Sequence, residues 1–66
     1  MILKINGEDR DFTAITLSEL IDQLGIKQDR VAVELNREII PRERWSETRL
    51  KAEDRLEVVH FVGGGA

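Results

Sequence analysis

The chain has 66 residues, no cysteine, 35% charged and 41% hydrophobic residues, and a net charge of −3. One small domain with a thin core follows, because a chain of this size buries only about 60% of its unfolded surface. A disulfide framework, a thiol nucleophile and thiolate ligation of zinc or iron–sulfur clusters are excluded, and the acidic balance lacks the basic footprint of a nucleic-acid binder.

Met1 to Asn6 alternates apolar and polar residues, with Leu3 and Ile5 on one face, which is strand periodicity. Asn6-Gly7 then marks a tight hairpin, whose central residues need positive φ. The return strand, Glu8 to Asp11, is charged and exposed, with Phe12 as its anchor. The opening MILKINGEDR is too short and polar for a signal peptide, and no apolar run is long enough to span a bilayer. The expectation is a cytoplasmic protein with no membrane and no nucleic-acid partner.

Thr16-Leu17-Ser18-Glu19 has the spacing of a capping box, in which the Thr16 hydroxyl accepts from the Glu19 amide and the Glu19 carboxylate accepts from the Thr16 amide. Leu17, Leu20, Ile21 and Leu24 follow at helical spacing, and Gly25 stands where a left-handed residue ends the helix. Glu19 and Asp22 lie three residues apart on that helix, but two carboxylates without further ligands make a poor metal site. Gly7 and Gly25 are isolated turn glycines, so no phosphate-binding loop is read.

A third strand begins near Val31, where Val33 and Leu35 alternate with Ala32 and Glu34. Asn36-Arg37-Glu38 turns the chain, Ile39-Ile40 starts a short extended piece, and Pro41 ends it because proline cannot donate to a ladder. Arg42 to Thr48 is polar apart from Trp45 and reads as an irregular or single-turn connection. Its indole is expected to lie against the core rather than form a ligand platform. The basic residues from Arg37 to Arg55 are interleaved with glutamates and Asp54, a mixed-sign solvated surface. Arg42 reads equally as a surface ion-pair member or a partner contact.

The last strand is expected from about Arg55 to Val62. Leu56, Val58 and His60 share one face, and Glu57, Val59 and Phe61 share the other. His60 has no evident nucleophile or carboxylate partner and is expected as a half-buried strand residue. The Glu57 carboxylate makes its own face the solvent side, so Val59 and Phe61, with Val62, are expected as a partner-docking surface just before the glycines. Gly63, Gly64 and Gly65 read in isolation as a frayed end. Together these elements describe an α+β domain: a mixed sheet packed on one main helix, the pattern of the ubiquitin-like β-grasp fold. The domain is placed at 1–62 and a flexible C-terminal glycine tail at 63–66.

The run VAVELNREIIPRERW, Val31 to Trp45, closely resembles the ThiS family of sulfur carriers in thiamine biosynthesis, and EVVHFVGGG, Glu57 to Gly65, resembles that family's last strand and glycine tail. The resemblance covers the whole chain and is distinctive in its C-terminal half. It implies a carrier rather than an enzyme, with no catalytic residue, metal or cofactor of its own. Its glycine carboxylate, at the Gly63-Gly64-Gly65 end, would be adenylated by a ThiF-like adenylating enzyme using ATP and magnesium. A sulfur donor such as a cysteine desulfurase would supply sulfur for a thiocarboxylate. That sulfur would pass to the thiazole ring, built by a ThiG-like thiazole synthase. A monomer that forms transient heterocomplexes is the expected state. Competing readings within the fold are the small subunit of molybdopterin synthase, carriers for cysteine synthesis or tRNA thiolation, and a ubiquitin-like modifier joined to lysines. A plain interaction module that happens to end in glycine would be indifferent to loss of its tail. Ala66 departs from the family's glycine end. It is expected to be removed before activation, against the readings that it is tolerated or is an added residue.

Overall fold

A computed structural model describes residues 1–61. The chain runs through strand β1 (Ile2–Ile5), strand β2 (Glu8–Asp11), helix α1 (Leu17–Gln23), a 3-10 turn (Gln28–Arg30), strand β3 (Val31–Leu35), strand β4 (Glu38–Ile39), a second 3-10 segment (Arg42–Glu47) and strand β5 (Arg55–His60). The strands form one five-stranded sheet in the order β2-β1-β5-β3-β4. The β1–β5 pair is parallel and the other pairs are antiparallel.

Local chemistry explains most of these boundaries. Asn6 and Gly7 carry φ of 49° and 86°, the left-handed values that let β1 turn directly into β2. The β2 edge is all charged, which discourages pairing with another chain. Phe12 then turns inward beneath the Arg10 guanidinium, 5.3 Å from the ring centroid. Asn36 and Arg37, at φ of 50° and 72°, make the corresponding turn between β3 and β4.

Helix α1 begins on the expected capping box. The Glu19 amide donates to Thr16 Oγ1 at 3.2 Å, and Glu19 Oε1 accepts from the amides of Ile15 and Thr16 at 2.8 and 3.1 Å. These amide bonds hold the Glu19 carboxyl below its usual value of 4.5. A depressed folded pKa contributes stability that is complete above the unfolded value and is lost as the pH falls through the folded one. Glu19→Gln is therefore expected to flatten the loss of stability below about pH 4.3, as read from melting temperatures across pH. Thr16→Ala, at neutral pH, should cost about 1 kcal/mol, a fall of roughly 4–8 °C in Tm for a domain of this size. The helix ends as expected, with Gly25 at φ 75°.

Leu17, Leu20 and Ile21 of α1 pack on Leu3, Ile5, Val31, Val33, Leu56 and Val58 from one face of the sheet. Trp45 closes this core at 1% exposure, and its indole N–H donates to the Ile40 carbonyl at 2.8 Å. Backbone bonds from Leu17 to Thr48 and from Leu50 to Ile15 tie the Trp45 segment to the start of α1.

Three expectations change. His60 is exposed rather than half-buried: burial along β5 stops at Val58, although its cross-strand partner Val31 is still in the core. Strand β5 ends at His60, not Val62, since β3 begins at Val31, the register partner of His60. The 3-10 turn at Gln28–Arg30 was not foreseen. It is tethered to α1 by Gln28 Nε2 donating to Ser18 Oγ at 2.8 Å.

Candidate functional site

Strand β5 lies at the centre of the sheet, between β1 and β3. Its side chains alternate as the sequence predicts. Leu56 and Val58 enter the core, while Glu57 and Val59 face outward on the side away from α1. Val59 is 58% exposed and stands opposite Ala32 of β3. Phe61 follows at 55% exposure, and its amide donates to the Arg30 carbonyl at 2.8 Å, so the chain remains held beside β3 just past the strand. Val62, Gly63, Gly64 and Gly65 lie outside the described residues, as does the domain boundary placed after residue 62.

A residue missed in the sequence extends this face. Ile39 of β4 is 75% exposed and pairs with Glu34 on the outer side. The Ile39-Ile40 pair carried the signal, since strand alternation sends adjacent side chains to opposite faces. Ile40 packs against the core and Ile39 faces solvent. A shallow groove of about 290 Å³ is lined by Ile39, Phe61 and Arg42, by Ala32, and by edges of the core residues Val31 and Trp45. Arg42 is exposed there, and no ion pair to it is formed among the described residues.

The charged residues on this face are less settled than the apolar ones. Glu34 and Glu57 are direct cross-strand partners, an arrangement that is unfavourable within a free sheet. Lys4 instead pairs with Asp9, at 3.2 Å. His60 carries no cluster with other potential metal ligands among the described residues. The Glu19 carboxylate is spent on backbone amides rather than turned toward Asp22 for a metal.

Two polar devices around β5 also escaped the sequence reading. Asp54 is only 6% exposed, accepting from the Lys51 amide at 2.8 Å and from Asn36 Nδ2 at 3.0 Å. Asn36 Oδ1 in turn accepts from the Arg55 amide at 3.0 Å. Further along the strand, Asn6 Oδ1 accepts from the Val58 amide at 2.7 Å and Asn6 Nδ2 donates to the Val58 carbonyl at 3.2 Å. Asn-Gly had been read only as a turn, and no local pattern announces a contact 52 residues away.

The ThiS family profile matches residues 3–65, nearly the whole chain. The chain belongs to the ThiS family. It is 39% identical over 66 residues to the sulfur carrier protein ThiS of Bacillus subtilis, covering 97% of this chain and 100% of that protein. It is also 43% identical over 67 residues to a thiazole synthase of Paramagnetospirillum magneticum, covering 100% of this chain and 21% of that protein. The chain thus spans about a fifth of the length of the thiazole synthases it matches. The crystal structure of the thiamine biosynthesis protein ThiS from Geobacter metallireducens superposes with a TM-score of 0.83 at 35% identity, covering 98% of this chain and 100% of that one. The ThiS fold is the β-grasp architecture expected from the order of elements.

Proposed function

We infer that the chain is a sulfur carrier in thiamine biosynthesis, a protein co-substrate worked on by partner enzymes. The observation that carries this reading is the exposed apolar pair of Val59, on the central strand, and Phe61, just past its end and two residues before the first of three glycines in the sequence. The full-length match to the carrier of Bacillus subtilis supports it.

The carrier carboxylate is that of Gly65, with Ala66 removed beforehand. A free carboxylate is a poor electrophile, so a carboxylate oxygen first attacks the α-phosphorus of ATP and pyrophosphate leaves. A ThiF-like adenylating partner binds the ATP and magnesium for this step. Hydrosulfide then attacks the acyl carbon and AMP departs, leaving a thiocarboxylate. Where a cysteine desulfurase is the donor, its persulfide attacks instead, and a thiol reductant cleaves the resulting acyl disulfide to the thiocarboxylate. Glycines suit the reacting end because they lack a Cβ and leave the carbonyl open to attack. The thiocarboxylate sulfur goes to a thiazole synthase. That partner is in keeping with the thiazole synthases of which a stretch resembles this chain.

Docking uses Val59, Phe61 and Val62, with Ile39 extending the apolar surface. Val59→Asp should weaken binding to the adenylating partner by about tenfold or more, since it sets an unpaired carboxylate into an apolar contact that excludes water. Its Tm should hold within a few degrees, because Val59 is outside the core. Titration calorimetry of the variant against the partner reads the effect. Unchanged affinity for both Val59→Asp and Phe61→Asp would remove this face from the interface.

A further inference from the structure

We propose that Asn6 is a positioning residue that aims the end of β5, and with it the carrier terminus, at the adenylating partner's active site. The proposal rests on the carrier reading above.

The geometry begins with the sheet. Within β5, the even-numbered residues turn their backbone groups toward β1. The Lys4 amide donates to the Asp54 carbonyl and the Asn6 amide to the Leu56 carbonyl, each at 2.9 Å. There β1 ends, because Asn6 at φ 49° and Gly7 at φ 86° turn the chain away into β2. The next backbone pair on that side, the N–H and C=O of Val58, would be left facing the gap. The Asn6 side chain fills it. Its amide group accepts from Val58 N and donates to Val58 O, reproducing the two bonds that a further residue of β1 would make.

This contact is the last one that holds β5 from the β1 side among the described residues. Beyond it, His60 has no such partner, and the strand end is held by β3 alone, through the Val59–Ala32 pairing and the Phe61–Arg30 bond. Removing the clamp therefore leaves the docking residues attached to β3 but frees the tilt of the strand about that one edge. Gly65 follows Val58 by seven residues, a span of up to about 25 Å when extended into a partner. With the tail drawn out inside the partner's site, the tilt at Val58 sets where that path begins, and misplacement of a reacting group by about 1 Å can cost a hundredfold in rate.

Only asparagine combines the required features at position 6. Its amide offers both an acceptor and a donor on a short stem, and it tolerates the left-handed backbone. Aspartate keeps the acceptor for Val58 N but turns a second oxygen toward the Val58 carbonyl. Glycine keeps the turn and loses the clamp.

The test compares wild type, Asn6→Gly, Asn6→Asp and Asn36→Gly, each ending at Gly65, as substrates of the cognate adenylating enzyme in ATP–pyrophosphate exchange. Asn36→Gly is the comparator because it removes a side-chain clamp from the start of β5, at Arg55, and leaves Asp54 with one donor fewer. Asn6→Gly is expected to lower kcat about tenfold with KM for the carrier within about twofold. Asn6→Asp should recover part of kcat. Asn36→Gly should lower Tm and leave kcat near wild type. Hydrogen exchange should quicken at Val58 in Asn6→Gly while Val33 remains protected. A wild-type kcat in Asn6→Gly, or an equal loss in Asn36→Gly, overturns the positioning role and leaves the carrier reading intact. A wild-type chain that supports no exchange, with the enzyme active on another carrier, overturns both.

Discussion

A chain cut after Val62 should form no thiocarboxylate, while its Tm stays within a few degrees of the full chain. The separation follows from where the packing lies. Among the described residues, the thirteen buried hydrophobic side chains fall between Leu3 and Val58. Activation, by contrast, requires a carboxylate that can enter the partner's site, and after the cut the carboxylate is that of β-branched Val62. Branching at Cβ crowds the acyl carbon and stiffens the chain, whereas the glycines do neither. Binding to the adenylating partner should persist in the shortened chain, because Val59 and Phe61 remain. Intact mass after reaction and calorimetric affinity read the two effects separately. A shortened chain that still gains sulfur would move the reactive group away from the glycine end.

Trp45→Ala should remove about a third or more of the protein's stability. The side chain is the largest fully buried one and its N–H closes the Ile40 carbonyl, so the substitution opens a cavity and orphans an acceptor together. Phe or Trp to Ala in a core costs about 3–5 kcal/mol. The whole stability of a domain this short is roughly 3–10 kcal/mol at typical values per residue. Trp45→Phe isolates the hydrogen-bond part, since it keeps most of the apolar volume and leaves the Ile40 carbonyl unpaired, at about 1–3 kcal/mol. Urea denaturation followed by far-UV circular dichroism orders the three proteins. A Trp45→Ala protein as stable as Trp45→Phe would show that the indole does not close the core.

How much of this could be read from the sequence depended on the range of the interaction. Turns, the capping box and the helix stop are decided within four or five residues, so Asn6-Gly7, Thr16 to Glu19 and Gly25 were legible and occur as read. Period-two alternation gave the two faces of β5, including the outward Val59. Alternation does not report where along a strand burial stops, which is why His60 was expected half-buried and is exposed. The long-range polar contacts were silent for a related reason. Asn6 meets Val58 across 52 residues, and Asn36 meets Asp54 across 18, through pairings that exist only once the sheet order is set. Both asparagines looked like turn residues, and they are, but the same left-handed turns also bring their side chains onto the neighbouring strand. On the proposed docking face, the exposure of Val59 and Phe61 was legible from Glu57 marking the solvent side. Ile39 was not, because the dipeptide Ile39-Ile40 offers too short a run to show which residue points inward.

The central claim, that the glycine end carries sulfur, is tested most directly by intact mass. The chain ending at Gly65 and the chain retaining Ala66 are each incubated with the cognate adenylating enzyme, ATP, magnesium and a sulfur source. The account predicts that the Gly65 chain gains the mass of one sulfur in place of one oxygen, and that the Ala66 chain does not. No gain in either chain, with the enzyme shown to be active on another carrier, would contradict it.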